Sequence, residues 1–444
     1  MASRTIWFCW VRCSDSTHTL SGRSRNSRKG GAIFATGGWL YPAPELCYKP
    51  DIEPRPSLDE SAPSLNTPAP TSAAFPVPAH AQQETTFTEA FDVLRTAIAE
   101  RAFPAASLAI TQGGKLVAWK AFGQFTYAAD SSAATPTSIF DLASLSKVAA
   151  TTAMAMVLFE RGLLDLEAPV AAIVPEFSQN SPQRREVTVH MLLAHSSGLP
   201  AYEKLFLRAP GREELLAAAF ATPLTADPGA RAEYSDLGFI VLGIALERLA
   251  DEALDRFCQR EVFGPLGMAT STFNPPPSWR SGIPPTEDDH SFRHRAIQGE
   301  VQDENASVLG GVAGHAGLFG AAQDLAIYAN ALLHGGRPLV RPETLALFTR
   351  RERTPAGTSR ALGWDTPSFP SQSGKYFSAD SFGHLGYTGT SLWIDPQRQL
   401  SITLLSNRTW PDCSNHAIKQ VRPRFHDAVI HALDRASQGG TIET

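Results

Sequence analysis

Phe140-Asp-Leu-Ala-Ser144-Leu-Ser-Lys147-Val-Ala-Ala-Thr-Thr-Ala-Met-Ala-Met-Val-Leu-Phe159 is the stretch that organises the rest of the chain. Its apolar second half predicts a buried helix over residues 144–162. On a helix, residues three apart share a face, so Ser144 and Lys147 point the same way at a helix N-terminus. A serine hydroxyl is a weak nucleophile and needs a base beside it. A lysine one turn away serves if burial or nearby cations keep part of it neutral. Backbone N–H groups at a helix N-terminus add donors for a developing oxyanion. Ser144-x-x-Lys147 is the only Ser-x-x-Lys in the chain. Standing alone, it also fits a serine N-cap beside a solvated lysine.

Composition sets the frame for that motif. The 444 residues are 43% hydrophobic and 19% charged, values that fit a globular enzyme of one large domain or two. A net charge of −5 argues against nucleic acid as the main partner. No apolar run reaches the roughly 18–20 residues that span a bilayer, so no integral membrane segment is expected. The five cysteines, Cys9, Cys13, Cys47, Cys258 and Cys413, are scattered, and they suggest neither a disulfide framework nor a zinc site. No cofactor and no metal are expected.

Residues 1–84 differ from the rest of the chain. The first fifty carry Arg4, Arg12, Arg23, Arg25, Arg28 and Lys29 with little acid and no periodicity. Residues 50–80 are rich in Pro, Ser and Ala, which reads as a disordered leader or linker. Ala79-His80-Ala81 resembles a signal-peptidase site, yet Phe75-Pro-Val-Pro78 is a poor apolar core for such a signal. An over-extended start and a degraded export signal both fit, so the compartment, cytoplasmic or exported, stays open. The folded domain is expected over residues 85–440.

Within it, Phe91, Val93, Leu94, Ile98 and Phe103 suggest an amphipathic helix. Ala106–Gln112, Gly113-Gly114 and Lys115–Phe122 read as strand, tight turn and strand. Helices are expected over 212–221, 235–250 and 323–333, with residues 270–318 rich in loops. Strand signals return over Gly389–Asp395 and Leu400–Ser406, and a last helix is expected from Arg424 to Ala436. The fold class is therefore α/β (α+β). An antiparallel sheet is built from both ends of the domain (about 85–140 and 375–440), with a mainly helical insertion (about 141–374) and a cleft between.

Two further segments supply partners for Ser144. Tyr234-Ser-Asp236 offers a proton shuttle, since cations near a tyrosine lower its pKa. Read blandly, it is a helix start with Asp236 as N-cap. Tyr328-Ala-Asn330 has the same shape but lies inside an apolar helix and reads as core. Gly383-His384-Leu-Gly386-Tyr387-Thr-Gly-Thr390 enters a strand; its glycines let a substrate lie close to the strand edge, and His384 is placed to protonate or hydrogen-bond a substrate carboxylate.

The order Ser-x-x-Lys, Tyr-x-Asn/Asp, His/Lys-x-Gly resembles the serine β-lactamase and penicillin-recognising superfamily. Within it the chain is most similar to the class C β-lactamase-like serine hydrolases, which include esterases and DD-peptidases. Flanking segments Val187-Thr-Val-His-Met-Leu-Leu-Ala-His-Ser-Ser-Gly-Leu-Pro200 and Gly310-Gly-Val-Ala-Gly-His-Ala-Gly-Leu-Phe319 agree, and the resemblance covers about residues 87–436. It implies a β-lactamase/transpeptidase-like fold. It also implies Ser144 as acylated nucleophile, Lys147 and Tyr234 as the proton-transfer pair, and Asp236 where Asn is usual. His384, Leu385 and Gly386 match the Lys-Thr-Gly strand, and the N–H groups of Ser144 and Tyr387 match the oxyanion hole. Asp236 is expected to favour a protonated Lys147, and His384 weakens the cation that holds a β-lactam carboxylate. Asp303, Glu304, Asn305 and His315 are candidate cleft-lining residues. Gln302 stands where His is common, so any role of that His is absent.

The expected substrates are small: an ester, a β-lactam or a peptidoglycan-like D-amino peptide. The competing reading is a catalytically weak penicillin-binding or sensor module on the same fold. An α/β-hydrolase predicts a Gly-x-Ser-x-Gly elbow, and the chain has none. His290 and His294 have i, i+4 spacing without an evident third ligand.

Overall fold

The computed structural model describes residues 81–179 and 181–439, and within that span the chain forms one contact unit. The expectations for residues 1–80, including Ala79-His80, lie outside the described residues; residues 81–84, assigned to the leader, are described, and there the helix Gln83–Thr86 packs on the domain, with Trp119 N donating to Gln83 Oε1 (2.9 Å). The strands in chain order are β1 (Ala105–Gln112), β2 (Lys115–Gly123), β3 (Phe140–Asp141), β4 (Thr272–Phe273), β5 (Glu287–Asp289), β6 (Arg295–Ile297), β7 (Leu318–Gly320), β8 (Phe382–Leu385), β9 (Ser391–Asp395) and β10 (Leu400–Ser406).

Five of them form an antiparallel sheet in the order β2-β1-β10-β9-β8. β1 leads into β2 through Gly113 and Gly114, at φ +55° and +76°; two consecutive left-handed residues are what a two-residue hairpin turn needs. β10, from the far end of the chain, pairs with β1 from Ala106–Ser406 to Gln112–Leu400. The sheet is thus built from both ends of the domain. Everything from β3 to β7 is inserted between its edges and is mainly helical.

Alternation along the central strands divides the interior in two. Leu400, Ile402 and Leu404 face the helices Thr88–Ala99 and Ile418–Gly439, packing with Phe91, Leu94, Phe425 and Val429. Leu405, Leu392 and Ile394 face the inserted part. Complete burial of side chains such as Phe91 and Phe425 is worth about 1.5–3 kcal/mol each. Two small sheets, β3-β7-β4 and β5-β6, brace the inserted part.

Three local expectations need correction. Residues 144–162 are not one α-helix. Ala143–Leu145 is a 3₁₀ turn, Lys147–Thr152 a π turn, and only Ala153–Glu160 is α-helical. Side chains intrude on the ladder there: Tyr328 Oη donates to Val148 O (2.8 Å) and Cys258 Sγ to Ala150 O (3.6 Å). The last helix starts at Ile418, six residues before Arg424, and contains Pro423. Proline has no N–H for Lys419 O; Gln372 Nε2 donates to that carbonyl instead (3.1 Å). Finally, Ser235 rather than Asp236 caps the helix Asp236–Ala250, its Oγ accepting from Gly238 N (3.0 Å). That frees the Asp236 carboxylate.

Among the described residues, no helix is long and apolar enough to cross a membrane.

Candidate active site

Ser144 sits where the inserted part meets the open edge of the large sheet. Ala143, just before it, holds a left-handed φ of +49°, which costs a non-glycine residue roughly 1–2 kcal/mol. Asp141 holds that turn: Oδ1 accepts from Ala143 N (2.8 Å) and Oδ2 from Gln302 N (2.7 Å). Burial pushes the Asp141 carboxyl up to about 6. The β8–β9 turn docks on the same segment, with Thr388 Oγ1 donating to Asp141 O (2.8 Å) and Thr390 Oγ1 to Leu142 O (3.0 Å). Gly386 is required by this approach: a Cβ there would lie 2.6 Å from Leu142 O and 1.9 Å from Thr390 Oγ1.

Lys147 is fully buried, and its Nζ meets three oxygens: Ser144 Oγ (2.9 Å), Asp236 Oδ1 (2.7 Å) and His315 O (2.9 Å). A carboxylate and a carbonyl only accept. A neutral amine has two N–H bonds, and those two acceptors use both. Its lone pair is then left for the hydroxyl of Ser144, the arrangement a general base requires. Burial pulls the Lys147 pKa below the ordinary lysine value, and Asp236 opposes that pull. The charge of Asp236 acts in the direction expected from the sequence, but desolvation outweighs it.

Tyr234 Oη lies 2.8 Å from Ser144 Oγ and 3.1 Å from Asp236 Oδ1. Its pKa is raised well above 10 by burial and then by Asp236, with the Arg360 guanidinium opposing. The sequence suggested the reverse, a tyrosine lowered by cations; burial decides the sign, and the carboxylate two residues away reinforces it. Tyr234 therefore holds its proton. His195 positions it: His195 Nδ1 accepts from Ser235 N (3.1 Å), and the two rings lie 4.7 Å apart.

His384 is buried at the edge of β8, its ring 5.9 Å from that of Tyr234. Nδ1 lies 2.8 Å from Leu385 O, which only accepts, so Nδ1 carries the hydrogen. Burial, then Lys147 and Arg360, hold its pKa well below 6.5. His384 is thus neutral, and Nε2, which has no hydrogen-bond partner among the described residues, presents a lone pair. The sequence suggested a ring that protonates or hydrogen-bonds a substrate carboxylate; a neutral ring with a lone pair at Nε2 has no proton there to give one.

Asn305 and Asp303 lie in the scaffold. Asn305 Oδ1 accepts from Phe206 N (3.0 Å) and its Nδ2 donates to Glu203 O (2.8 Å), so both ends of its amide stitch a loop. Asp303 caps the helix Glu304–Val308 and accepts from His315 Nε2 (2.9 Å). His315 reaches the site through its carbonyl rather than its ring. Glu304 lies 3.5 Å from Tyr202 Oη. Gln302 Nε2 donates to Glu287 (2.6 Å). His290 is 83% exposed beside Asp288, and no group of three metal-ligating side chains forms among the described residues.

Arg360 escaped the sequence reading. Its guanidinium lies 5.4 Å from the centre of the Tyr234 ring, and its nearest acid, Asp365, is 3.8 Å away. It lies in an irregular segment with no motif around it. His195, by contrast, lies in the flanking stretch Val187–Pro200, so its neighbourhood was legible.

The Beta-lactamase family profile matches residues 90–421. The chain belongs to the Beta-lactamase family. A relative from Salmonella agona (strain SL483) named "Putative D-alanyl-D-alanine carboxypeptidase" is 30% identical, the alignment covering 70% of this chain and 81% of the relative. Among solved structures, "EstCE1, a hydrolase with promiscuous acyltransferase activity" aligns at TM-score 0.65 and 20% identity, covering 78% of this chain and 99% of its own. A class C β-lactamase from Rhodobacter sphaeroides aligns at TM-score 0.61 and 20% identity, with coverage of 78% and 99%. The chain is thus a hydrolase of the β-lactamase and penicillin-binding-protein fold.

Proposed function

We propose that the protein is a serine hydrolase that works through an acyl-enzyme, with Ser144 as nucleophile and Lys147 and Tyr234 as its proton relay. The observation that carries this is the hydrogen-bond count at Lys147 Nζ, which leaves the neutral amine's lone pair to Ser144. Ser144 Oγ attacks an ester or amide carbonyl as its proton passes to Lys147. The carbonyl π pair moves to oxygen, which the N–H groups of Ser144 and Tyr387 receive. Collapse breaks the bond to the leaving group. Tyr234, neutral and hydrogen-bonded toward Ser144, gives that group a proton and recovers one from the Lys147 ammonium. A water then attacks the acyl ester, its proton returning through the same pair, and the acid departs.

The charges around the site bear on the substrate. His384 is neutral and Arg360 is the nearby guanidinium with only a loose acid partner, which favours a substrate whose carboxylate faces Arg360. A peptide ending in D-alanine or a carboxylate-bearing ester has that shape, and the name of the Salmonella relative is in line with it. A β-lactam remains a further candidate for acylation.

The test is a panel of p-nitrophenyl butyrate, a D-Ala-D-Ala peptide and a chromogenic cephalosporin, with Ser144→Ala as control. The expected result is steady ester turnover without cephalosporin turnover, abolished in Ser144→Ala. Full activity in Ser144→Ala overturns the proposal. Stoichiometric acylation with no turnover of any substrate favours a sensor that traps its acyl group.

A further inference from the structure

The two peptide units that carry the proposed oxyanion donors are each loaded at their other end. Tyr387 N belongs to the same peptide as Gly386 O. That carbonyl accepts from Arg422 Nη2 (2.8 Å) and from Gly389 N (3.1 Å). Arg422 comes from the helix Ile418–Gly439, is 4% exposed, and reaches past the turn to Thr390 O as well (3.0 Å). Ser144 N belongs to the same peptide as Ala143 O, which accepts from Ser146 Oγ (2.6 Å). The Ser146 rotor is fixed, because its Oγ accepts from Leu318 N (3.0 Å) and its single proton is left for Ala143.

The geometry points to Arg422 and Ser146 as positioning residues that strengthen the oxyanion donors from behind. Each hydrogen-bonds the carbonyl of a peptide whose N–H receives the reacting oxygen. Peptide resonance couples the two ends of the unit: charge drawn toward the carbonyl oxygen makes the N–H a stronger donor. A buried guanidinium does this more than a neutral hydroxyl. The field of Arg422 extends to the site, where it contributes to the lowered pKa of His384. This inference rests on Ser144 and Tyr387 acting as the oxyanion donors in the proposed hydrolase.

The test compares Arg422→Met, Arg422→Lys and Ser146→Ala with the full chain, using p-nitrophenyl butyrate and phenylboronic acid. In the boronate adduct, Ser144 Oγ donates an electron pair to boron, its proton passes to Lys147, and a boron-bound hydroxyl occupies the oxyanion position. Loss of an indirect polarising bond should cost less than the ~10²- to 10³-fold of a deleted donor. Arg422→Met is expected to lower kcat about tenfold and weaken phenylboronate by a similar factor, with KM within about twofold. Arg422→Lys recovers most of both, and Ser146→Ala loses less. A folded Arg422→Met with wild-type boronate affinity overturns the inference, as do equal losses in the Lys and Met variants. Should Arg422→Met fail to accumulate, the same kcat-against-KM comparison on Ser146→Ala decides. A wild-type protein that neither turns over the ester nor binds phenylboronate overturns the hydrolase proposal, and this inference with it.

Discussion

Asp236→Asn isolates the charge that faces Lys147. Oδ1 and Nζ are 2.7 Å apart, and both side chains are almost wholly excluded from solvent. At an effective dielectric of about 20, unit charges at that distance attract by about 6 kcal/mol. Asparagine keeps an oxygen that accepts the same N–H, so the hydrogen bond survives and the charge is what is lost. Burial already lowers Lys147 and the carboxylate opposes it, so removing the carboxylate lowers the lysine further. In the proposed mechanism the neutral amine is the base, and a lower pKa extends the active form toward acid. The acid limb of log kcat/KM against pH for p-nitrophenyl butyrate should therefore move to lower pH in Asp236→Asn. A pH series run on both proteins reads this directly. A limb that stays in place, or moves up, refutes Lys147 as a base whose charge is set by Asp236.

Tyr234→Phe removes the donor 2.8 Å from Ser144 Oγ; kcat should fall by about 10²- to 10⁴-fold with little change in thermal midpoint, as steady-state kinetics and calorimetry will show. Arg360→Gln should raise KM for a D-Ala-D-Ala peptide by about 10- to 100-fold, the worth of a charge-assisted hydrogen bond, while leaving p-nitrophenyl butyrate nearly unaffected. Equal effects on both substrates would exclude Arg360 as a carboxylate partner. Asp141 has a folded pKa of about 6 against an ordinary 3.8. The native state therefore binds the proton more tightly, and its ionisation destabilises the fold as pH rises through that window. Measured by urea denaturation, the stability of wild type relative to Asp141→Asn should be greater at pH 4 than at pH 7, by about 2 kcal/mol.

The large sheet was legible because its strands announce themselves locally. Gly113-Gly114 between two apolar runs, and the alternation of Leu400, Ile402 and Leu404, need no tertiary information. The triple of Ser144, Lys147 and Tyr234 was legible because motif order carried it across ninety residues of chain, and the fold brings the three within hydrogen-bond distance. What stayed hidden depends on three-dimensional electrostatics. The sign of the Tyr234 shift comes from burial and then from the Asp236 carboxylate at 3.1 Å, and neither the burial nor the close approach is readable from Tyr-x-Asp. The neutral state of His384 comes from burial, reinforced by Lys147 and Arg360, and its tautomer from one carbonyl. Arg360 lies 126 positions along the chain from Tyr234, in a segment without periodicity, and only folding places the two together. The π turn after Ser144 was hidden because its cause, Tyr328 and Cys258 reaching in from distant helices, is tertiary.

The central claim is that Ser144 is the acylated atom. Incubation with a fluorophosphonate probe, then intact mass and peptide mapping, tests it most directly. The account predicts one adduct per chain, located on Ser144, and none in Ser144→Ala. An adduct on another residue, or an unchanged adduct in Ser144→Ala, contradicts it.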